Sequence, residues 1–368
     1  MTSCMRKKIA WISDCFVDTD IYIIPLLCAY FDIEWHILTR RGKPNDFERE
    51  IAALSGHAGL SIIRHSTYRV RDPRTFLSVW RMVRQIKRGR PAMVYAGLCG
   101  YPHALPAIRL LLGTAQVVAP VHNVSTPKGA VNYRFAKWNT AQVLNTYRNF
   151  HTFSRAQCAL LQSLRPGKKV FMTPFLLKDY GPTTATPGEL ITFLNFGIIR
   201  HYKRIDVLIE AAQAAFERTG QPFIVEIAGA CDNWEEYQRL IRYPELFRLC
   251  IRRIGNAEIP DLFGRCHYFV APYQDIAQSG SAIVSINYDK PIIASDLEAF
   301  RETVQDGVSG FLMRPASVQD LTDIMVRILG EHRRIYPQLV AGLRAMKERE
   351  FAPSAIVAGY VDMFNHLD

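Results

Sequence analysis

The segment "APYQDIAQSGSAIVSINYDKPIIAS" (residues 271–295) places Asp275, Gln278, Ser279, Gly280 and Ser281 between a strand-like run and an apolar helical run. Small polar residues that open a helix after a strand leave backbone N–H groups accessible to phosphate oxygens. Gln278 or Ser279 can cap the helix without any ligand, so the same residues also suit a plain N-cap. A second segment of the same half, "FGIIRHYKRIDVLIEAAQ" (196–213), runs from a strand end through a basic loop into an amphipathic helix. Its Arg200 and Lys203 stand where a helix N-terminus favours an anion. Arginine offers a fork for phosphate oxygens and lysine a point charge. Read alone, this is equally a solvated basic loop. Two anion-ready strand ends in one half point to a diphosphate-containing ligand.

In the first half, His122 and Asn123 end a strand-like run, the position from which side chains reach a ligand cleft. Capping or burial in a core is the plainer role for this histidine. Asp18 and Asp20 follow the first strand, and Asp14 lies nearer its end. A carboxylate there could deprotonate an acceptor hydroxyl in an inverting displacement; loop capping asks less of it. The segment "PRTFLSVWRMVRQIKRGR" (73–90) puts Phe76, Leu77, Trp80, Val83 and Ile86 at helical spacing, with Arg74, Arg81, Arg84, Lys87, Arg88 and Arg90 around them. Cations beside a Trp/Phe stripe suit an anionic membrane surface. The stripe can also pack on a sheet and leave its charges solvated, and the two roles are compatible.

These side chains need a scaffold that presents strand ends. Strand-like runs at 7–13, 31–39, 60–66, 92–98, 115–123 and 168–176 alternate with helical segments such as 74–89 and 102–112. After the Gly/Pro/Thr-rich "KDYGPTTATPGEL" (178–190) the alternation restarts, with strands at 190–197, 222–230, 247–255, 268–273, 291–295 and 310–315 and helices at 204–218 and 233–242. Regular strand–helix alternation predicts parallel sheets covered on both faces. The expected fold is α/β, with two tandem Rossmann-like doubly wound domains facing a central cleft. Their boundaries fall at 1–180 and 181–350, and a C-terminal helix over 351–368 is able to cross back to the first domain.

Composition narrows the partners. The 368 residues carry a net charge of +11. Residues 1–180 hold 26 Lys and Arg against 10 Asp and Glu, or +16, and residues 181–368 hold 19 against 24, or −5. A basic first half implies an anionic partner. Nucleic acid is disfavoured, since Trp80 and Tyr68 give little aromatic interleaving for base stacking. Eight scattered cysteines without a CxxC pair suggest reduced thiols in a cytoplasmic setting, without zinc or a disulfide framework. The longest apolar stretch, "IYIIPLLCAYF" (21–31), is too short to span a bilayer. No DxD pair stands at a strand end of the second half, and "DTD" (18–20) lies in the other domain, so no metal is expected.

The second half resembles the GT-B glycosyltransferases, specifically the family 4-like group that includes bacterial exopolysaccharide enzymes. "FGIIRHYKRIDVLIEAA" is similar to that family's "GR…KG" segment. "DKPIIASDLEAFRETVQDGVSGFLMRP" (289–315) is similar to its "GKPVVAS…PEVV.DG..G.L" segment, with Glu302, Asp306, Gly307 and Gly310 in place. "VAPVHNVSTPKG" (118–129) resembles the first-domain "HN…P" loop. The chain departs from the family where a Glu-x7-Glu pair normally contacts donor sugar and ribose: those positions fall on Ile276 and Val284. The family's "GR" arginine falls on Ile198, for which Arg200 is the nearby substitute, and "SDCFVDTD" (13–20) replaces the glycine-rich loop. A "QSG" loop in place of the glutamate pair resembles a subset of bacterial polysaccharide enzymes.

The resemblance implies transfer of a sugar from a nucleotide-diphosphate sugar to a saccharide acceptor, lipid-linked and at the inner face of the plasma membrane. It needs no cofactor and leaves retention or inversion open. The implied catalytic residues are His122, Arg200, Lys203 and Asp18. Gly197, Gly229, Asn256, Asp275, Gln278, Ser279, Gly280 and Ser281 would join Arg200 and Lys203 around the donor. Trp80, Arg81, Arg84, Lys87 and Arg88 would face the membrane and acceptor. The alternatives are a nucleotide-sugar epimerase and a non-catalytic GT-B-like subunit; the missing glutamates speak against the first and for the second.

Overall fold

The computed structural model describes residues 6–42, 47–70, 72–98, 101–102, 104–125, 133–276 and 278–367. Cys4, Cys99, Ala277 and the 126–129 end of the "HN…P" loop lie outside these residues. The chain divides into two compact units, Met1–Leu176 with Pro353–Asp368, and Leu177–Ala352.

The first unit is built on seven parallel strands: β1 (Lys8–Ser13), β2 (Asp32–Arg40), β3 (Leu60–Thr67), β4 (Met93–Gly97), β5 (Val117–Pro120), β6 (Asn149–Thr152) and β7 (Lys169–Met172). Their order is β3-β2-β1-β4-β5-β6-β7. The alternating helices are α1 (Val17–Leu27), α2 (Glu48–Ala53), α3 (Pro73–Gly89), α4 (Ala104–Leu111), α5 (Tyr133–Thr146) and α6 (Arg155–Leu164). Two hydrophobic clusters cover the two sheet faces, one including Trp11, Trp35 and Tyr95's neighbours on α1, the other formed with α3 and α4. Such a doubly wound sheet has its strand order reversal between β1 and β4, and side chains beyond the carboxyl ends there can form a site.

The second unit has six parallel strands: β8 (Thr192–Phe196), β9 (Ile224–Ala228), β10 (Phe247–Cys250), β11 (Tyr268–Ala271), β12 (Ile292–Ser295) and β13 (Gly310–Met313). The order β10-β9-β8-β11-β12-β13 puts the reversal between β8 and β11. Its helices are α7 (Ile205–Thr219), α8 (Trp234–Gln238), α9 (Ile259–Gly264), α10 (Gly280–Asn287), α11 (Glu298–Arg301) and the long α12 (Val318–Glu350), which packs along α7. The final helix α13 (Pro353–Asn365) belongs to the first unit. It buries Ile356, Val357, Tyr360, Met363 and Phe364 in the cluster that holds Trp11 and Trp35.

Several sequence expectations change. β6 was not anticipated, because "NFHT" lacks an apolar run. Two of its buried side chains are tied to neighbouring segments instead: Asn149 Nδ2 donates to Ala115 O at 2.7 Å and Thr152 Oγ1 to Phe171 O at 3.3 Å. The expected linker is tied down rather than free. The Asp261 carboxylate on α9 accepts from the N–H groups of Thr184 (2.7 Å) and Ala185 (3.1 Å) and from Thr183 Oγ1 (3.0 Å). Those bonds hold the Asp261 carboxyl below its ordinary range. Cys28, Cys158, Cys231, Cys250 and Cys266 are free thiols, but Cys15 is disulfide-bonded, its partner lying outside the described residues. Cys15 stands in the loop after β1, its Sγ 3.8 Å from Gly97 O at the end of β4, where two strand-end loops converge.

The basic helix also presents a different face from the one expected. On α3, Val79, Met82, Val83 and Ile86 are buried, whereas Phe76 and Leu77 are 42% and 51% exposed. Trp80 is half-buried and stacks on Phe76 at 5.9 Å. Arg81, Arg84, Lys87 and Arg88 are all exposed, and the helix contains no acidic residue. The core stripe is therefore rotated from the one read along the sequence, because Met82 and Val79 outcompete Phe76 and Leu77 for the sheet.

Candidate anion-binding site at the β8–β11 reversal

β8 ends at Phe196, and Gly197 follows with φ +107°, a conformation that a side chain would strain. From there the chain passes Arg200 into a short 3-10 turn, His201–Lys203, and reverses at Arg204 (φ +50°) before α7. Arg204 is held by a bidentate pairing with Asp206, at 3.0 and 2.7 Å. This turn directs Lys203 back under the strand end, where it is 7% exposed. A Cβ on Gly197 would fall 3.0 Å from Lys203 Nζ and 2.9 Å from Ser281 Oγ. Three separated segments therefore converge within contact distance at one point.

The third segment is the loop after β11 and the first turn of α10. Ser279 is the N-cap: its hydroxyl accepts from Ala282 N at 3.2 Å. Ser281 Oγ donates to Phe196 O at 2.9 Å, which fastens the helix start to the end of β8. The backbone N–H groups of Gly280 and Ser281 make no hydrogen bond among the described residues. Below them lies Tyr273, fully buried, with Lys203 Nζ 5.4 Å from its ring centre. Burial raises the Tyr273 hydroxyl well above its usual range, with the Ser279 and Ser281 hydroxyls beside it pulling the other way.

Lys203 has no carboxylate partner among the described residues. Burial lowers its ammonium to about 8, with neighbouring Tyr202 pulling the other way. A buried cation is costly unless something compensates it. An unpaired ammonium beside a helix N-terminus with two open N–H groups is suited to a ligand carrying several anionic oxygens. Arg200, by contrast, is engaged: Nη1 pairs with Asp232 Oδ2 at 2.7 Å in the loop after β9. Both groups are exposed, so the pair is weak and exchangeable.

The remaining expected donor residues sit around this point with unequal support. Gly229 is the position where a Cβ would strike Gly197 O at 2.1 Å, so it allows the β8 and β9 ends to close together. Gln278 has a buried, unpartnered Oε1. Asp275 is exposed, and Asn256 lies half-buried in a 3-10 turn after β10. Val284 is buried in the core, and Ile276 packs on it. The "DG..G" residues shape the turn before β13: Asp306 Oδ1 accepts from Leu312 N at 2.8 Å, and a Cβ on Gly310 would meet Ile292 O at 2.0 Å. Tyr273 and Asp232 were missed by sequence reasoning. Asp232 had no local signal, whereas Tyr273, two residues past the strand, could have been read from the aromatic in "APYQD".

In the first unit, His122 lies two residues beyond β5. Its Nδ1 donates to Asn123 Oδ1 at 2.9 Å, and its ring lies among Phe16, Phe153 and Phe175. Asp18 stands in the first turn of α1, where a carboxylate favours the helix N-terminus. Asp20 cannot serve as the base considered for it. It is buried, accepts from Ser13 Oγ at 2.5 Å, and is raised to about 8 by burial. Among the described residues, no three His, Cys, Asp or Glu side chains could hold a metal ion, and no helix is long and apolar enough to cross a membrane.

Comparison with known proteins agrees with this architecture. Residues 191–331 match the family model described as "Glycosyl transferases group 1", a match confined to the second unit. No curated protein matches the chain significantly. Among solved structures, HepE from Anabaena in complex with UDP-glucose superimposes with a TM-score of 0.74 at 13% identity, covering 98% of this chain and 100% of that one. A variant of TarM from S. aureus, in complex with Fondaparinux, alpha-GlcNAc-glycerol and UDP, gives 0.70 at 11% identity over 98% and 100%. Sucrose-phosphate synthase from Thermosynechococcus elongatus gives 0.72 at 16% over 98% and 99%. The fold is that of the GT-B glycosyltransferases, two parallel-sheet Rossmann-like units of seven and six strands.

Proposed function

We propose that the protein is a glycosyltransferase that takes a sugar from a nucleotide-diphosphate donor to a saccharide acceptor. The observation that carries this reading is the buried Lys203 ammonium, unpaired among the described residues and set beside the open N–H groups of Gly280 and Ser281. Stabilising a departing diphosphate is the main electrostatic task of such a transfer, and preorganised cation and N–H donors act there without a metal. Arg200 would leave Asp232 and turn to the diphosphate when donor binds. The family match over residues 191–331 and the UDP complexes of HepE and TarM support the same assignment.

Calorimetry with UDP, GDP and their sugar conjugates tests it. At least one is expected to bind wild type, with the affinity falling at least tenfold in Lys203→Ala. Binding unchanged by that substitution would remove the diphosphate assignment, and no binding at all would remove the enzyme reading.

The reading of a lipid-linked acceptor is supported by α3, which carries exposed Phe76 and Leu77 and four exposed cations and contains no acidic residue of its own. Such a face suits an anionic bilayer at the inner side of the plasma membrane, each well-placed cation adding about 1 kcal/mol. Co-sedimentation with anionic but not neutral liposomes is expected; equal partitioning to both would dismiss the membrane role. The loss of both glutamates to core positions favours a second reading, a non-catalytic subunit that binds nucleotide without turnover. An epimerase, needing carboxylates at the sugar, finds less support in the same loop.

A further inference from the structure

Tyr273 lies two residues beyond β11, the strand that neighbours β8 at the order reversal. It is fully buried, and Lys203 Nζ stands over its ring, 5.4 Å from the centre. That separation is within the reach of a cation–π contact, about 6 Å. Two further rings meet it edge-on, Tyr202 at 6.0 Å and 87° and Phe300 at 5.5 Å and 60°. Its hydroxyl has the Ser279 and Ser281 side chains beside it, the first capping α10 and the second fastened to Phe196 O. Among the described residues, the ionisable groups facing Lys203 are Tyr202 from its own loop and Tyr273, with Arg200 also close to Tyr202. The start of α10 brings the Ser281 hydroxyl to the same point.

We propose that Tyr273 is a positioning residue for the diphosphate site: its ring face supports the Lys203 ammonium without neutralising it and holds it beside the first turn of α10. A buried ammonium needs compensation. A carboxylate would supply it, but would also repel a diphosphate and occupy the lysine's N–H donors. A ring quadrupole attracts the cation and carries no net charge, so the ammonium stays available to anionic oxygens. Tyr202, Phe300 and the two serine hydroxyls fix the ring's orientation before any donor arrives. This role in transfer rests on the donor assignment, whereas the hold of Tyr273 on the ammonium is measurable without nucleotide.

The test is a carbon-13 NMR titration of the whole chain with labelled lysine, the Lys203 Cε signal being identified by its loss in Lys203→Ala. Wild type should titrate at about pH 8, and Tyr273→Phe, which keeps the ring, should match it. Tyr273→Leu should titrate about one pH unit lower. A purely structural tyrosine predicts the reverse, because a loosened site admits water and lifts the lysine back toward its ordinary value. If Tyr273→Leu does not fold, phenylalanine bearing three ring fluorines at position 273 keeps the shape, weakens the ring face and should lower the midpoint likewise. Calorimetry with UDP and GDP then reads the consequence for binding. Affinity in Tyr273→Leu should begin to fall about one pH unit earlier than in wild type, and Tyr273→Phe should restore the wild-type profile. A lysine midpoint unchanged or raised by loss of the ring overturns the proposal. Failure of wild type to bind either nucleotide, with the midpoint shift intact, overturns the donor assignment and leaves the ring's support of Lys203 standing.

Discussion

Lys203 illustrates how a functional requirement opposes stability at a single residue. Its ammonium is lowered from the ordinary lysine value to about 8 because folding strips it of water. The unfolded chain therefore holds this proton more tightly than the folded one, and stability without ligand rises as pH climbs from about 8 toward the unfolded value. Lys203→Met removes the burdened charge and keeps the apolar stem. Its expected outcome is a more stable protein at pH 7, by on the order of 2 kcal/mol, that binds nucleotide at least tenfold more weakly. Urea unfolding and calorimetry on the same preparation check both halves, and a destabilised variant would contradict the account. The same proton sets a pH profile. Nucleotide affinity in wild type should be level below pH 8 and decline up to about tenfold per unit above it. Lys203→Met should show no such decline.

At the scale of elements, Asp20 links α1 to β1 and β2 through a buried chain: Trp35 Nε1 donates to Ser13 Oγ at 2.8 Å, and Ser13 Oγ to Asp20 at 2.5 Å. Asp18 on the same helix and Tyr95 and Tyr360 from β4 and α13 also face this carboxyl's surroundings. Burial dominates over the Ser13 bond, so the group keeps its proton in the folded state up to about pH 8. Folded protein thus holds a proton that unfolded protein releases near pH 4, and its stabilisation is lost as pH rises through that window. Asp20→Asn retains an acceptor for Ser13 and should be more stable than wild type by about 2 kcal/mol or more at pH 8, with little difference near pH 4. Denaturant midpoints at the two pH values decide this.

Elements were legible where period and punctuation agreed. The strand–helix alternation and the start of α10 at Gly280 followed from apolar runs and small polar breaks. Short β6 and the true core face of α3 were not, because buried polar strands and rival apolar faces are resolved only by their neighbours. Lys203 could be read as a strand-end cation, but neither its burial nor the partnership of Arg200 with Asp232 has a signature in local spacing.

For the molecule as a whole, the chain leaves the first unit at Leu176 and returns to it at Pro353. The return is not decorative. α13 brings five buried apolar or aromatic side chains to the cluster around Trp11 and Trp35, and Tyr360 packs on Trp11 at 5.9 Å and edge-on to His151 at 4.8 Å. Gly359 allows the helix this approach, since a Cβ there would meet Thr173 Oγ1 at 2.8 Å. Fully burying a side chain of this kind contributes roughly 1.5–3 kcal/mol. Five of them are worth about as much as the whole stability of an ordinary domain, roughly 5–15 kcal/mol. Deleting residues 353–368 should therefore unfold the first unit while leaving the second, which contains none of these contacts, able to bind nucleotide. Limited proteolysis should then return a resistant fragment beginning near Leu177, whereas the full chain resists throughout. Gly359→Val should produce a milder form of the same selective loss by forcing α13 off Thr173. An equally resistant first unit after the deletion would mean that α13 merely covers a core that closes without it.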